Sequence, residues 1–434
     1  MSKPSSSPSS SSQPKISQKL ILRTAVFLFA LAGLFYGFRY LKDKAGDFNS
    51  GSSNTAGDIA AIQEENDGAK LVIIHPDGTV IGTKSWASGN TDRDLAWAPS
   101  GRFIYFTSDR DGQTYHIYRW NPDQDDPEVQ TGDKRARSSL TFPAEASSDA
   151  DERCLNVSGG YVQAFDLKTK ATPAVLPPVT QEITQSTSED SGGMEAGFDV
   201  MFGGLGTAFR YARYCKGGAY IAAILEREGG EVLILQKMQS TDGKLSHPIP
   251  VAAGDHVEFD VNPKDGTVVY TVENFKWPDP EHVPAQFIKN NQVTYPYRHV
   301  VGIADPDAGP QGPVVISKDD KAAFEQPAIS PDGSTLLLVE GPYDASTSEI
   351  KPVAILTLPC KPGGIAAQSR LVEGQATDPC WSPDGETIAF TMFGGGHRDL
   401  YTITKTGTDQ KNVTNGKGDF SHPAFSPAMP TAKS

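Results

Sequence analysis

The stretch DPCWSPDGETIAF, residues 378–390, contains a pattern that recurs elsewhere in the chain. It aligns with QPAISPDGSTLLL at 326–338, and a weaker copy, LAWAPSGRFIYF, occupies 95–106. Each copy has a short apolar run, a Pro-Asp-Gly or Pro-Ser-Gly turn, and a second apolar run. Such a turn between two runs of β-forming residues predicts a hairpin. Recurrence in units of about 40–50 residues predicts a repeat architecture made of β-strands.

The copies predict the blades of a β-propeller. The first complete unit, near 94–131, has four predicted strands, and the last, 380–414, has the same order. Four short strands in about 40 residues are typical of one propeller blade. Degenerate units are expected between them, at 138–176, at 198–251, at 257–316 and from 326 onward.

Two incomplete units remain at the ends of the repeat region. One is a predicted hairpin at 71–82, and the other is an opening strand without a partner at 420–427. If the two share a blade, the ring closes and no sheet edge is left free. Six complete units and one shared unit predict an all-β propeller of seven blades over 69–428; one miscounted middle unit would make it six.

The N-terminal region predicts a membrane anchor. A Ser/Pro-rich tail at 1–18, expected to be disordered, precedes an apolar segment at 19–41. Counted from Leu20 to Leu41, with Arg23 and Arg39 reaching the interfaces, this segment is long enough for one transmembrane helix. Residues 42–68 are polar and Gly-rich, and they predict a flexible linker. Residues 429–434 are expected to be a short tail.

A cleaved signal peptide is the alternative to an anchor. Ala30-Leu31-Ala32 fits a cleavage site, but the apolar run continues past it to Phe38. The positive charges near the segment are almost balanced between its two sides, and the short basic tail favours an N-in orientation. We therefore expect a single-pass protein of the inner or plasma membrane, with the propeller in the periplasm.

The charge distribution argues against nucleic-acid binding. The chain has a formal net charge of −14, and its acidic excess lies after the basic first 45 residues. An acidic domain without a basic stripe is repelled by phosphate backbones. Nucleic acid is therefore not an expected partner.

The Ser-Pro-Asp-Gly strand pairs, with the TSDRDG loop at 107–112 before Ile117-Tyr118, resemble the WD40-like repeats of TolB-type propellers. The resemblance extends over two or three blades and is weak over 138–320. It implies a propeller fold and, as for TolB itself, a partner-binding role in the periplasm. Fold likeness alone does not fix function.

The sequence has few signs of catalytic or cofactor chemistry. It contains no G-x-S-x-G motif, its Gly-rich stretches lack the P-loop Lys-Ser/Thr, and its eight His have no helical metal spacing. We expect no cofactor, no metal and no assigned catalytic residue. The four cysteines, which have no C-x-x-C spacing, fit two disulfides or small buried thiols equally well.

The expected binding site lies on one face of the propeller. Loops between the second and third strands emerge beside the blade-to-blade connections, opposite the Pro-Asp-Gly turns. The longest of these loops, near 273–298, is rich in aromatic and Pro residues. Binding hot spots favour exposed aromatic side chains on a rigid scaffold. The candidate anchors are Trp277, Phe287, Tyr295 and Tyr297; alternatively, these rings fold back onto the propeller rim.

The sequence therefore favours a protein- or glycan-binding module or scaffold of the cell envelope. The alternative is a propeller enzyme, a polysaccharide lyase or hydrolase, with its site at the mouth of the central channel. Its candidate residues, also weighed as binding residues, are Asp109, Arg110, His397 and Arg398. A third possibility is a structural spacer without a specific ligand.

Overall fold

The computed structural model describes residues 57–427, apart from 84–85, 113, 125, 144–152, 177–207, 228, 239–247, 279–282, 284, 296 and 318–320. Its strands are numbered in chain order. The first are β1 (Ile59–Glu65), β2 (Gly68–Ile74), β3 (Val80–Gly82), β4 (Asp92–Trp97), β5 (Ile104–Ser108), β6 (His116–Trp120), β7 (Glu128–Val129), β8 (Ser138–Thr141), β9 (Arg153–Ser158), β10 (Tyr161–Asp166) and β11 (Ala174–Leu176). Next come β12 (Ala208–Cys215), β13 (Tyr220–Arg227), β14 (Gly230–Lys237), β15 (Ile249–Gly254), β16 (His256–Val261), β17 (Val268–Glu273), β18 (Ile288–Lys289), β19 (Gln292–Val293), β20 (His299–Asp305) and β21 (Gly309–Ser317). The last are β22 (Ala323–Ile329), β23 (Thr335–Gly341), β24 (Tyr343–Asp344), β25 (Glu349–Ile350), β26 (Ala354–Pro359), β27 (Ser369–Glu373), β28 (Ala376–Trp381), β29 (Thr387–Gly394), β30 (His397–Thr404), β31 (Lys411–Asn412) and β32 (Asp419–Phe425).

The strands form seven four-stranded antiparallel sheets, the blades of a propeller. Blades 1 to 6 follow the chain: β4–β7, β8–β11, β12–β15, then β16, β17, β20 and β21, then β22, β23, β26 and β27, and finally β28–β31. The hairpins β18–β19 and β24–β25 are inserted between the second and third strands of blades 4 and 5. The predicted seven-bladed all-β fold is confirmed.

The seventh, closing blade combines the two ends of the propeller. Its strand order is β3-β2-β1-β32, so the C-terminal strand pairs with β1, with Ile59 opposite Phe425. The predicted sharing of one blade by the terminal strands is confirmed. The structure differs from the prediction at β1, because this strand lies within the segment 42–68 that was expected to be a linker. Its short apolar run, Ile59 to Ile62, directly follows a polar stretch, so the strand does not stand out in the sequence.

Seven apolar clusters join each blade to the next, and together they complete the ring. One cluster packs Leu71 of the closing blade against Phe106 of blade 1. Another packs Phe420 and Val72 of the closing blade against Leu400 of blade 6. The remaining five clusters connect blades 1 to 6 in succession. Alternating side chains on each strand point to the two neighbouring blades, which explains why both faces of every blade are apolar.

Some predictions fall outside the described residues, among them the tail 1–18 and the anchor 19–41. The helices in the described part of the chain are short 3₁₀ turns at Lys216–Gly218, Ala285–Phe287 and Gly364–Ala367. None of these has the length or apolar character needed to cross a membrane. None of the four cysteines is in a disulfide. Burial raises the pKa of Cys360 to about 11 and that of Cys380 to about 12, so neither is a reactive thiolate at neutral pH.

Phe420→Ala tests the dependence of the fold on ring closure. This side chain is fully buried in the cluster between blade 6 and the closing blade, so its truncation leaves a cavity there. We expect a loss of about 3–5 kcal/mol in the free energy of unfolding, measured by chemical denaturation. Phe393→Ala is the control, since that ring is 52% exposed and should change stability by less than about 0.5 kcal/mol. Equal losses in the two variants would contradict this role of Phe420.

Candidate functional site

Five of the seven innermost strands carry the same β-bulge. In β4, β8, β22, β28 and β32, two residues oppose one residue of the neighbouring strand. The first bulge residue has a left-handed backbone in every case: Asp94 (φ 51°), Ser139 (φ 57°), Gln326 (φ 53°), Asp378 (φ 54°) and His422 (φ 51°). A non-Gly residue in this region costs about 1–2 kcal/mol. Its repetition at equivalent positions shows that it is a regular feature of this propeller.

The ten bulge residues surround a central cavity of about 680 Å³. The first residue of each bulge brings a polar group to the wall, and the second brings Leu or Pro: Leu95, Leu140, Pro327, Pro379 and Pro423. Glu64, Asp92 and Arg93 also line the cavity. The channel therefore has a wall of alternating polar and apolar groups, in which acidic residues outnumber basic ones.

Short hydrogen bonds hold the polar bulge residues in place. Thr107 and Thr391, on the second strands of blades 1 and 6, donate their hydroxyls to Asp94 and Asp378, each at 2.8 Å. The backbone N–H of Asp378 donates to Oε1 of Gln326 at 2.6 Å, which connects blades 5 and 6 across the channel wall. The two equivalent Thr–Asp pairs show that blades 1 and 6 position their carboxylates in the same way.

A cluster of acidic side chains lies where blades 3, 4 and 5 meet. Glu258 is hydrogen-bonded to His256, with Nε2 and Oε1 3.5 Å apart, and it accepts the backbone N–H of Gln326 from blade 5. Arg210 of blade 3 binds both carboxylate oxygens of Glu231, at 2.7 and 3.0 Å. Burial is the largest influence on Glu258 and works against its ionisation, but the hydrogen bonds from His256 and Gln326 and the positive charges of His256 and Arg210 together outweigh it and lower its pKa.

Two further acids of this cluster, Glu273 and Glu325, differ from Glu258, because burial determines the direction of their pKa shifts. Burial raises the pKa of Glu273 to about 7 and that of Glu325 to about 8, and the negative charge of Glu258 adds to both shifts. Glu273 is only 3% exposed, whereas Glu325 is half-buried. At neutral pH, each of these carboxyls therefore keeps a substantial protonated fraction, which is larger for Glu325 than for Glu273.

The structure places the four predicted aromatic anchors in two different environments. Trp277, Phe287 and Tyr297 pack on one another and on Phe275, with ring centroids 5.1–6.5 Å apart. The indole N–H of Trp277 donates to the carbonyl of Thr294 at 3.0 Å. These rings are half-buried, whereas Tyr295 is 55% exposed. Three of the four candidates thus give the insert an internal core, and only Tyr295 projects fully from it.

Most of the exposed large apolar side chains in the described part of the chain lie on one face. This is the loop face, where the loops between second and third strands emerge. It carries Tyr161, Ile288, Tyr295, Val353 and Phe393. The sixth such residue, Val129, lies on the outer strand of blade 1. Ile288, Val353 and Phe393 were not singled out from the sequence, although Ile288 lies within the insert near 273–298 that was assigned to this face.

The four candidate residues of the enzyme alternative form two separate local groups. Arg110 is buried in blade 1, where its guanidinium is 2.7 Å from both carboxylate oxygens of Asp92. Asp109 accepts the backbone N–H of Thr91 at 2.7 Å. His397 and Arg398 lie in blade 6, exposed, and the N–H of Arg398 donates to Asp419. The closing blade stands between blades 1 and 6, so the structure does not bring these groups together.

The residues around the channel were not predicted as a site, although part of the signal is present in the sequence. The repeated stretch itself begins with the bulge dipeptides Gln326-Pro327 and Asp378-Pro379, and His422-Pro423 occupies the same position in β32. The alternation His-Val-Glu-Phe-Asp-Val in β16 places acids on the face opposite an apolar one. The contacts of these acids with β22 depend on how blades 4 and 5 pack together, so a local sequence pattern does not reveal them.

The comparisons with known proteins agree with a TolB-like propeller. No protein-family model matches the sequence. Over 101 residues the chain is 32% identical to a TolB homolog from Chlorobium luteolum, which covers 23% of this chain and 21% of the relative. The match thus spans about a fifth of that relative's length.

One solved structure with a TM-score above 0.5 illustrates the likeness in fold. An oligogalacturonate lyase in complex with manganese aligns with 85% of this chain and 90% of its own, at 12% identity and a TM-score of 0.52. TolB from Acinetobacter baumannii aligns with 86% of this chain and 67% of its own, at 14% identity and a TM-score of 0.45. At such identities the likeness to solved structures concerns the fold alone.

Arg110→Met tests whether this candidate residue is structural. The change would leave the carboxylate of Asp92 buried without its guanidinium partner, with a hydrogen bond from the backbone N–H of Leu71 at 3.0 Å. We expect a loss of about 3–5 kcal/mol in the free energy of unfolding. Arg119→Met, which removes an exposed pair with Glu128, should cost less than about 1 kcal/mol. A normal stability of Arg110→Met in denaturant titrations would contradict the structural role.

Proposed function

We propose that this chain is a protein-binding β-propeller whose partner docks on the loop face. The observation that supports it most is the grouping of Tyr161, Ile288, Tyr295, Val353 and Phe393 on that face. Single exposed apolar residues are ordinary on protein surfaces, but several on one face are typical of an interaction surface.

The loop face is also held rigid across blades 3 to 5. The side-chain amide of Asn274 donates to Asp255 at 2.8 Å and to the hydroxyl of Tyr343 at 2.9 Å. Lys276 forms an ion pair of 2.7 Å with Asp255. These contacts connect the inserts of blades 4 and 5, while the aromatic cluster around Trp277 fixes the first insert internally. Because the surface is already ordered, less conformational entropy is lost when a partner binds.

The chemistry of the exposed side chains favours a protein over a glycan. Ile288 and Val353 are aliphatic, and they can fill pockets of a protein partner as Tyr295 and Phe393 can. Sugar rings stack on flat aromatic faces and gain little from branched aliphatic groups. The enzyme alternative has less support, because its four residues belong to separate local pairs.

We also propose that residues 19–41 anchor the protein in the inner or plasma membrane, with the propeller in the periplasm. The support is the apolar run of this segment, which continues beyond the candidate cleavage site. A propeller held there would present its loop face to a partner in the cell envelope.

Photo-crosslinking in cells that make the protein tests the loop face. A photoreactive residue at Tyr295 or Phe393 should give an adduct with one protein, and the same residue at Val129 should not. Val129 is a matched control because it is equally exposed but lies on the outer edge of blade 1. With the photoreactive residue at Tyr295, the additional double change Ile288→Ser and Phe393→Ser should reduce the yield of the adduct at least tenfold. Equal adducts at Val129, or an unchanged yield in the double variant, would refute docking on this face.

Fractionation and protease accessibility test the anchor. The full chain should sediment with membranes and resist extraction by carbonate, and protease added to the periplasmic side should degrade the propeller. Replacing Phe27 and Leu31 with Asp should release the protein from the membrane, because a charge at the centre of a span costs about 3 kcal/mol. Mature protein that begins after Ala32 would instead show a cleaved signal peptide.

A further inference from the structure

We propose that the propeller opens preferentially at the interface between blades 1 and 2, and that this opening widens the central channel on one side. Such a motion of the ring is independent of the docking surface and of the membrane anchor proposed above. The support comes from a buried polar pair in blade 2, from the small apolar contact between the two blades, and from the channel residues on both sides of it.

The polar pair lies on the two middle strands of blade 2. Asn156 of β9 and Gln163 of β10 are directly opposite each other, so their side chains lie on the same face of the sheet. Cys154 and Phe165 are paired two residues further along and share that face. Both belong to the apolar cluster that contains Tyr105 of blade 1. The polar pair therefore faces the interface between blades 1 and 2.

These side chains are buried, and their hydrogen bonding is incomplete. Asn156 is 0% exposed and Gln163 is 3% exposed. The side-chain amide of Asn156 donates to the carbonyl of Gln163 at 3.4 Å. However, Oδ1 of Asn156, Oε1 of Gln163 and the hydroxyl of Ser158, which shares their face, have no hydrogen-bond partner among the described residues. Buried polar atoms without partners are destabilising, because they have lost their hydrogen bonds to water.

Blade 2 differs at this position from the other blades that carry the same bulge. Asn156 lies opposite the bulge of β8, because its neighbours in β9 pair with the residues that flank the bulge. In the four other bulged blades, the pair at this position is aliphatic or aromatic: Ala61–Val72, Phe106–Tyr118, Leu338–Leu356 and Phe390–Tyr401. Of these five blades, blade 2 alone places two amides where the others place apolar groups.

The apolar contact between blades 1 and 2 is also small. Among the described residues, its cluster contains six buried side chains, whereas the clusters at the other six interfaces contain eight to fifteen. Less buried apolar surface means that less free energy holds the two blades together. When they separate, water reaches the unpartnered polar atoms, which offsets part of the apolar contact that is lost. Opening at this interface therefore costs less than opening elsewhere in the ring.

Opening at this interface also changes the channel. Arg93 and Asp94 of blade 1 line the central cavity on one side of the interface, and Ser139 and Leu140 of blade 2 line it on the other. Separation of the two blades moves these groups apart and widens the channel between them. The pairing of β32 with β1 is retained, because the closing blade lies on the other side of blade 1.

The native cysteines serve as probes of this motion. Cys154 is 0% exposed and belongs to the cluster between blades 1 and 2. Cys215 is equally buried and belongs to the cluster between blades 3 and 4, so it is the matched control. A buried thiol reacts only when its surroundings open, so the ratio of the two rates compares the opening of the two interfaces.

Labelling with N-ethylmaleimide tests the proposal on the full chain, folded and purified in mild detergent. The initial rates of modification are followed by mass spectrometry of the peptides that contain each cysteine. Cys154 should react about tenfold or more faster than Cys215. Equal rates would overturn the proposal, because they would show that both thiols react through opening of the whole propeller.

A double variant tests the role of the polar pair. Asn156→Leu with Gln163→Leu copies the Leu338–Leu356 pair of blade 5 and removes both unpartnered amide oxygens. Leucine has the branched shape of asparagine and a size close to that of glutamine, so the interface can keep its packing. Modification of Cys154 should slow about tenfold or more, while the rate at Cys215 stays unchanged. A folded double variant with an unchanged rate at Cys154 would refute this role, and the comparison in the unmodified chain needs no variant.

Discussion

The pairing of β32 with β1 is the interaction on which the rest of the structure depends. It joins residues more than 350 positions apart and places the C-terminal strand innermost in a sheet otherwise made by the N-terminal side of the propeller. Without it, the cluster between blade 6 and the closing blade, which holds Phe420 of β32 together with Ile59 and Val72, would be divided. Closure also removes the free sheet edge that an open array of blades would expose.

Closure has a direct consequence for the channel. Seven innermost strands surround one axis, and each of them pairs with the next strand of its blade. Five of them do so with a two-against-one bulge, whose first residue adopts a left-handed backbone. Bulges re-aim side chains, and here they turn a polar group and a Leu or Pro into the cavity at each position. The innermost strands, which include the strand that closes the ring, therefore also line the channel through their bulges.

Much of the fold is readable from the sequence because its turns are local. Pro-Asp-Gly fixes a hairpin through three adjacent residues, and two strong copies suffice to establish the repeat. The strand β1 was missed since Ile59-Ala-Ala-Ile is too short to stand out beside a polar stretch. The aromatic insert was recognised as a feature, but the burial of Trp277 and Phe287 depends on rings packing against one another, which composition does not reveal.

The acid cluster was beyond sequence reasoning for a related reason. Glu273 and Glu325 are 52 positions apart and belong to different blades, so no local pattern links them. Each would be an ordinary polar residue on an isolated strand, with a carboxyl ionised in water. Packing of blade 4 against blade 5 removes that water and brings Glu258 close to both, which changes their preferred charge state. The charge state of these acids thus depends on the contact between blades. The exposed side chains of the loop face depend in part on inserts that the same blades carry.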